Sequence, residues 1–221
     1  MSKTAILVDG GFYRKRAAYL WGKKTAEARA KELNAYCQTH LRDCDKDEPR
    51  QLYRIFYYDC APIERRSVYH PLTKKNVDLD KSETYTWSNT FLNELKRRRK
   101  FALRLGELSG RACFNLFPNV TKDILSGKRT IDSITEKDFE FLFQQKGVDM
   151  RIGIDIASLT YKKQVNQIIL ISGDSDFVPA AKLARREGID FILDPMWAEV
   201  KPNLFEHIDG LKSQWKKHNK Q

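Results

Sequence analysis

Two short apolar runs, each ending in an acidic turn, constrain this chain most. Thr4–Val8 (TAILV) leads into Asp9-Gly10-Gly11, and Gln167–Ser172 (QIILIS) leads into Gly173-Asp174-Ser175-Asp176. Apolar runs this short, without alternating polar residues, mark strands buried on both faces, as in parallel sheets covered by helices. In such sheets ligands bind beyond the carboxyl ends of the strands. The same two motifs therefore predict a fold class and place three aspartates at its functional edge.

The sequence between them fits that class. A helical stretch from about Phe12 to His40, broken near Trp21-Gly22, follows the first run. Leu52–Tyr58 (LYRIFYY) is rich in β-formers and stops at Asp59-Cys60-Ala61-Pro62. Lys81–Arg99 spaces Phe91, Leu92 and Leu95 as a helix, closed by the basic run Lys96–Lys100, which suits the helix dipole. Phe101–Leu108 alternates as a third strand. Residues 109–135, punctuated by Gly110, Pro118 and Gly127, read as an insertion or long loop.

Beyond it, the T-x-x-D at Thr135 predicts a helix over Thr135–Gln145, and KGVDMRIGIDIASLTYKK opens another. Val178–Glu187 is expected as a helix capped by Gly188, and Ile189–Leu193 as a strand ended by Asp194-Pro195. Leu204–Lys216 is expected as a closing helix. This alternation predicts a single domain over residues 1–221: an α/β, doubly wound, mostly parallel sheet in a three-layer α/β/α arrangement.

Charge narrows the partner. Forty Lys and Arg against 29 Asp and Glu give a net charge of +11, which points to a polyanion such as RNA or DNA. No apolar run approaches the roughly 18–20 residues of a membrane span. The first apolar run is too short for a signal-peptide core, so a cytoplasmic protein without membrane contact is expected. Cys37, Cys44, Cys60 and Cys113 are scattered, without C-x-x-C or zinc-like His spacing, and read as reduced thiols. His40, His70, His207 and His218 follow no catalytic pattern, and Ser172 lacks a G-x-S-x-G context.

A lone aspartate after a strand is ordinarily a turn or cap residue. Several at one sheet edge repel one another unless a cation or a proton compensates. Asp149 joins Asp9, Asp174 and Asp176 in this respect. On a helix over Val148–Lys162 it lies one turn before the face carrying Ile152, Gly153, Ile156 and Leu159, directed at the sheet edge. Asp155 falls on the flank, where Arg151 is expected to pair with it in solvent. Four carboxylates without His or Cys make a hard-oxygen site suited to Mg²⁺ or Mn²⁺. One or two such ions would activate a water and stabilise the leaving oxygen of a phosphodiester.

Three segments together resemble the NYN branch of the PIN-like ribonuclease superfamily: ILVDGGF around Asp9, KGVDMRIGIDIA around Asp149, and ISGDSDFVPAAKLARREGIDFIL around Asp174 and Asp176. The resemblance implies a Rossmann-like PIN fold and metal-dependent endonuclease activity, mostly on RNA. It makes Asp9, Asp149, Asp174 and Asp176 both the catalytic and the metal-binding set. The chain departs from the pattern at Phe12, where many relatives carry an Asn three residues after the first Asp. Ser172 or Ser175 is the candidate replacement for that polar group.

The expected substrate is RNA, single-stranded or tRNA-like, with DNA and homo-oligomerisation left open. Arg14, Lys15, Arg16 and Lys146 are candidates for the phosphate backbone, and Ser172 and Ser175 for further substrate contacts. Lys96–Lys100, Arg104, Lys182, Arg185 and Arg186 would extend the basic surface, and Tyr13 and Trp197 would stack on unpaired bases. Two other readings stand beside this one. The first is a catalytically weak RNA-binding module that retains the fold. The second is a phosphatase of the haloacid-dehalogenase type, which needs D-x-D after the first strand, where this chain has Asp9-Gly10-Gly11.

Overall fold

The computed structural model describes residues 2–42, 50–64 and 67–215; Cys44, Lys216 and His218 lie outside them. β1 (Ser2–Asp9) buries all of Thr4–Val8 and hands over at Asp9 to α1 (Gly10–Trp21). The expected break follows, and α2 (Ala26–Arg42) buries Ala30, Leu33, Tyr36, Cys37 and His40 at helical spacing. β2 (Arg50–Cys60) leads to a hairpin of β3 (Ser67–His70) and β4 (Lys75–Asp78). Ser82 caps α3 (Glu83–Lys96), its side chain accepting from the Tyr85 N–H, and Phe91, Leu92 and Leu95 face inward.

β5 (Phe101–Leu116), α4 (Pro118–Leu125) and β6 (Phe139–Lys146) follow. The chain then enters α5 (Val148–Tyr161), β7 (Gln167–Ile171), α6 (Val178–Arg186) and β8 (Asp190–Asp194). It closes with α7 (Pro202–Phe205) and β9 (Gly210–Leu211).

Among the described residues seven strands form one sheet in the order β6-β5-β2-β1-β7-β8-β9. All neighbours are parallel except β6, which runs antiparallel to β5 at one edge. From β1 the chain winds outward through β2 and β5, then returns to place β7, β8 and β9 on the other side. The order reverses between β1 and β7, and that switch point is where open α/β sheets bind ligands.

Alternate strand residues feed two cores. Leu7, Tyr58 and Leu170 pack with Ile152 and Ile156 of α5 on one face. Ile6, Val8, Tyr57 and Ile169 pack with Tyr13, Leu33 and Phe91 of α1, α2 and α3 on the other. That is the expected three-layer α/β/α arrangement, in which truncating one such side chain to Ala costs about 2–5 kcal/mol.

Three local expectations are corrected. Thr135–Gln145 is not a helix. Thr135 and Asp138 do form a capping box, but over a single 3-10 turn, Glu136–Asp138. Phe139, Phe141 and Phe143 recur with period two, and the segment becomes β6. Leu204–Lys216 is not a closing helix either. α7 lasts four residues, and the Asp209 carboxylate accepts from the Phe191 N–H at 2.9 Å, which turns the chain into β9 beside β8. Within the stretch expected as an insertion or long loop, β5 runs on to Leu116 and α4 follows. The unforeseen hairpin sits over this extension, with the His70 ring 4.5 Å from that of Phe114 and 4.8 Å from that of Phe139.

Candidate active site

Val8 pairs with Ile171, so Asp9 and Ser172 emerge side by side where β1 and β7 end. Asp9 uses one carboxylate oxygen as the cap of α1, accepting from the Phe12 N–H at 3.0 Å. Its other oxygen accepts from the Ser172 hydroxyl at 3.3 Å. The same hydroxyl accepts from the Asp174 N–H at 3.3 Å, and the Asp174 carboxylate accepts from the Asp176 N–H at 3.0 Å. A continuous polar chain thus links the first motif to the second across 163 residues of sequence.

Asp149 approaches the same edge from the opposite direction. Gly147, at φ +80°, turns the chain left-handed out of β6 and starts α5, setting Asp149 in its first turn. L side chains rarely adopt that conformation. Burial raises the Asp149 carboxyl above the ordinary carboxylate range, with the charges of Asp174 and Asp176 adding to it. Burial likewise raises Asp9, opposed by the Phe12 N–H and the Ser172 hydroxyl and reinforced by the charges of Asp149 and Asp59. Asp149 thus interacts with each of the other three aspartates, and none of the four forms an ion pair among the described residues.

Asp59 was not foreseen as a neighbour. It lies at the end of β2, beside β1, and is only 3% exposed. Arg14 meets its carboxylate at 2.9 Å, the Tyr57 hydroxyl donates to it at 2.8 Å, and the Cys60 N–H donates at 2.8 Å. An aspartate closing a second apolar strand was the available signal, the same one that singled out Asp9.

The expected cations divide by occupation. Arg14 is committed to Asp59, and Arg16 donates to the Met196 carbonyl at 2.7 and 3.2 Å. Lys15 and Lys146 are exposed, without an ion pair among the described residues. Ser175 accepts from Lys201 at 3.3 Å, which leaves Ser172 as the hydroxyl that orients Asp9.

Arg104 is tied to Asp155 at 3.0 Å and Arg185 to Asp209 at 2.7 Å. Asp155 is therefore not paired with Arg151: Tyr58 and Arg104 reach it across the sheet face, at 2.8 and 3.0 Å. Tyr13 cannot stack on a base, being fully buried with its hydroxyl on Glu32 at 3.2 Å. Trp197 is 47% exposed. The Phe12 ring packs over Gly173, where an added Cβ would come within 2.7 Å of it, so the close approach of the two motifs requires glycine there.

Among the described residues no three His, Cys, Asp or Glu side chains stand close enough to hold one metal ion together. That argues against a closed all-protein cage. It is compatible with magnesium-like binding, in which one or two carboxylates, waters and a substrate phosphate share the coordination. The all-oxygen donor set and the mutual charge on Asp9 and Asp149 fit a hard divalent cation.

Among the described residues no helix is long and apolar enough to cross a membrane. No curated protein matches the sequence. A Vibrio parahaemolyticus protein of unknown function superposes with a TM-score of 0.48 at 12% identity, covering 96% of this chain and 92% of that one. The family model for the NYN domain matches residues 67–200, more than half of the sequence, and the chain belongs to that family of PIN-like nuclease domains.

Proposed function

We propose that the protein is a metal-dependent endoribonuclease acting at the β1–β7 edge. One observation carries the reading. In a chain of net charge +11, four neighbouring aspartates form no ion pair among the described residues, and Asp9 and Asp149 are raised by burial and, beyond it, by like charge. Such an arrangement costs stability unless a ligand repays it.

Asp9, Asp149, Asp174 and Asp176 would hold one or two Mg²⁺ or Mn²⁺ ions. When bound, such an ion stabilises charge developing on a phosphodiester and makes a water molecule a better nucleophile. The Ser172 hydroxyl and the Phe12 N–H fix the Asp9 carboxylate, and the Ser172 bridge sets the Asp174 turn against it. Exposed Lys15 and Lys146 are suited to the RNA phosphates flanking the cut.

Asp174→Asn keeps an acceptor for the Asp176 N–H and removes the charge. It is expected to lower Mn²⁺- or Mg²⁺-stimulated cleavage of end-labelled RNA by about 100-fold or more, with thermal unfolding unchanged. Cleavage at the wild-type rate by that variant overturns the assignment. The apolar Phe12 against Gly173 favours a second reading, a catalytically weak RNA-binding module. RNA retention with no metal-stimulated cleavage by the wild type would select it.

A further inference from the structure

Two connected hollows lie beside this edge, sharing only Lys15 with the chemistry described. The first is a groove of about 1020 Å³ between α1, α3 and the edge strand β6. Arg14, Lys15, Lys23, Lys24 and Arg29 line it with Glu83; Arg14 is paired with Asp59 and Lys24 and Arg29 with Glu32, whereas Lys15 and Lys23 form no ion pair among the described residues. The second is a pocket of about 420 Å³. Its apolar wall includes Tyr85, Phe114, Phe141 and Phe143. Arg14, Thr84, Ser88, Phe141 and Phe143 line both, so the hollows share a wall. Arg14 stands little more than one turn past Asp9 on α1, which brings both to the acidic edge.

The chemistry of the pair is that of a single strand of RNA. Lys15 and Lys23, the lining cations with no ion pair among the described residues, match a phosphate backbone, and aromatic rings beside them match unpaired bases. The Phe141 and Phe143 rings stand 5.7 Å apart, Phe141 and Phe114 5.2 Å, and Phe143 is 43% exposed on an edge strand with no neighbour beyond it among the described residues. Large aromatics on a protein surface ordinarily turn inward. Inside the pocket the Thr84 and Ser88 hydroxyls and the Tyr85 phenol make no hydrogen bond among the described residues. A few unspent polar groups in an apolar hollow are what fixes the orientation of a small planar ligand.

We propose that the pocket takes one unpaired nucleobase of an RNA strand whose phosphates run over Lys15 and Lys23 toward Asp9. A duplex, with its bases stacked and paired, cannot supply that base without melting. The assignment rests on the ribonuclease reading for its substrate class, and its test separates the two.

Binding is measured by fluorescence anisotropy in EDTA, so that cleavage plays no part. The probes are a labelled oligouridylate 12-mer, the same strand made abasic throughout, and a 12-base-pair RNA duplex. The oligouridylate is expected to bind at least about tenfold more tightly than either other probe. Phe143→Ala, at an exposed position, is expected to weaken oligouridylate about tenfold and leave the abasic strand unchanged. Lys23→Ala is expected to weaken all three and reduce the salt slope by about one.

Equal affinity for the abasic strand or the duplex overturns the pocket, as does wild-type binding by both Phe143→Ala and Tyr85→Ala. Loss of cleavage in Asp174→Asn alongside those results leaves the nuclease reading standing alone. Base-dependent binding with no metal-stimulated cleavage by the wild type leaves the pocket standing and removes the nuclease.

Discussion

Asp9 and Asp194 occupy equivalent positions with opposite surroundings. Each is the last residue of a parallel strand in the same sheet, two strands apart. Asp194 is fully buried and satisfied: Tyr36 donates to it at 2.6 Å, His40 meets the same oxygen at 2.8 Å, and the Met196 N–H donates at 2.8 Å. Burial, with the Asp194 charge, pushes the Tyr36 phenol far up, which keeps it a donor. Asp9 has two longer bonds, and the charges of Asp149 and Asp59 act on it. A strand-end aspartate is thus structural when a helix brings donors to it. It becomes a candidate for chemistry when fewer donors reach it and other carboxylates stand near.

The sharpest way to break this contrast is to remove Asp194. Asp194→Ala leaves Tyr36, His40 and the Met196 N–H unmatched in the core, each at about 1–3 kcal/mol. A loss of about 3–5 kcal/mol in denaturant unfolding is expected, with α2 loosened from β8. A loss under about 1 kcal/mol would mean that Asp194 is as poorly held as Asp9.

Ser172→Ala probes the weaker network. It removes the hydroxyl that holds Asp9 and the Asp174 turn, at a cost of about 1 kcal/mol in unfolding. Turnover is expected to fall about tenfold or more at unchanged RNA affinity, because Asp9 is freed to rotate. Equal turnover would show that the Phe12 N–H alone positions that carboxylate.

The smallest effect has the opposite sign. Asp9 and Asp149 are both raised in the folded chain, so in metal-free solution the native state holds their protons more tightly than the unfolded state does. Their contribution to stability therefore falls as pH rises from about 4 through their folded-state values, and it is adverse at neutral pH. Asp149→Asn is expected to stabilise the chain at pH 7, by no more than about 0.5 kcal/mol because solvent screens a carboxylate that is only partly buried, and to flatten that acid limb. Destabilisation at pH 7 would mean that Asp149 has an attractive partner.

Much of the fold was legible because its signals are local. Thr4–Val8 and Gln167–Ser172 are buried on both faces whatever their neighbours, so their runs are unbroken, and Gly188 ends α6 by its own left-handed backbone, at φ +80°. The errors arose where two local signals competed. At Thr135 the capping box outweighed the alternation of Phe139, Phe141 and Phe143, yet only the latter had a partner strand to pair with. At Leu204 the apolar spacing continued past Asp209, whose carboxylate instead fastens the turn into β9.

The sequence alone determined the strand ends, and with them the positions of Asp9, Asp174 and Asp176. A strand's end is written in the residues on either side of it. Only the tertiary structure decided which strand-end carboxylates would be surrounded by hydrogen-bonding partners. Arg14 reaches Asp59 across 45 residues and His40 reaches Asp194 across 154. Asp9 instead receives a serine from 163 residues away, with no ion pair among the described residues. Burial and hydrogen bonding depend on what the folded chain brings alongside, and no spacing along the sequence encodes that.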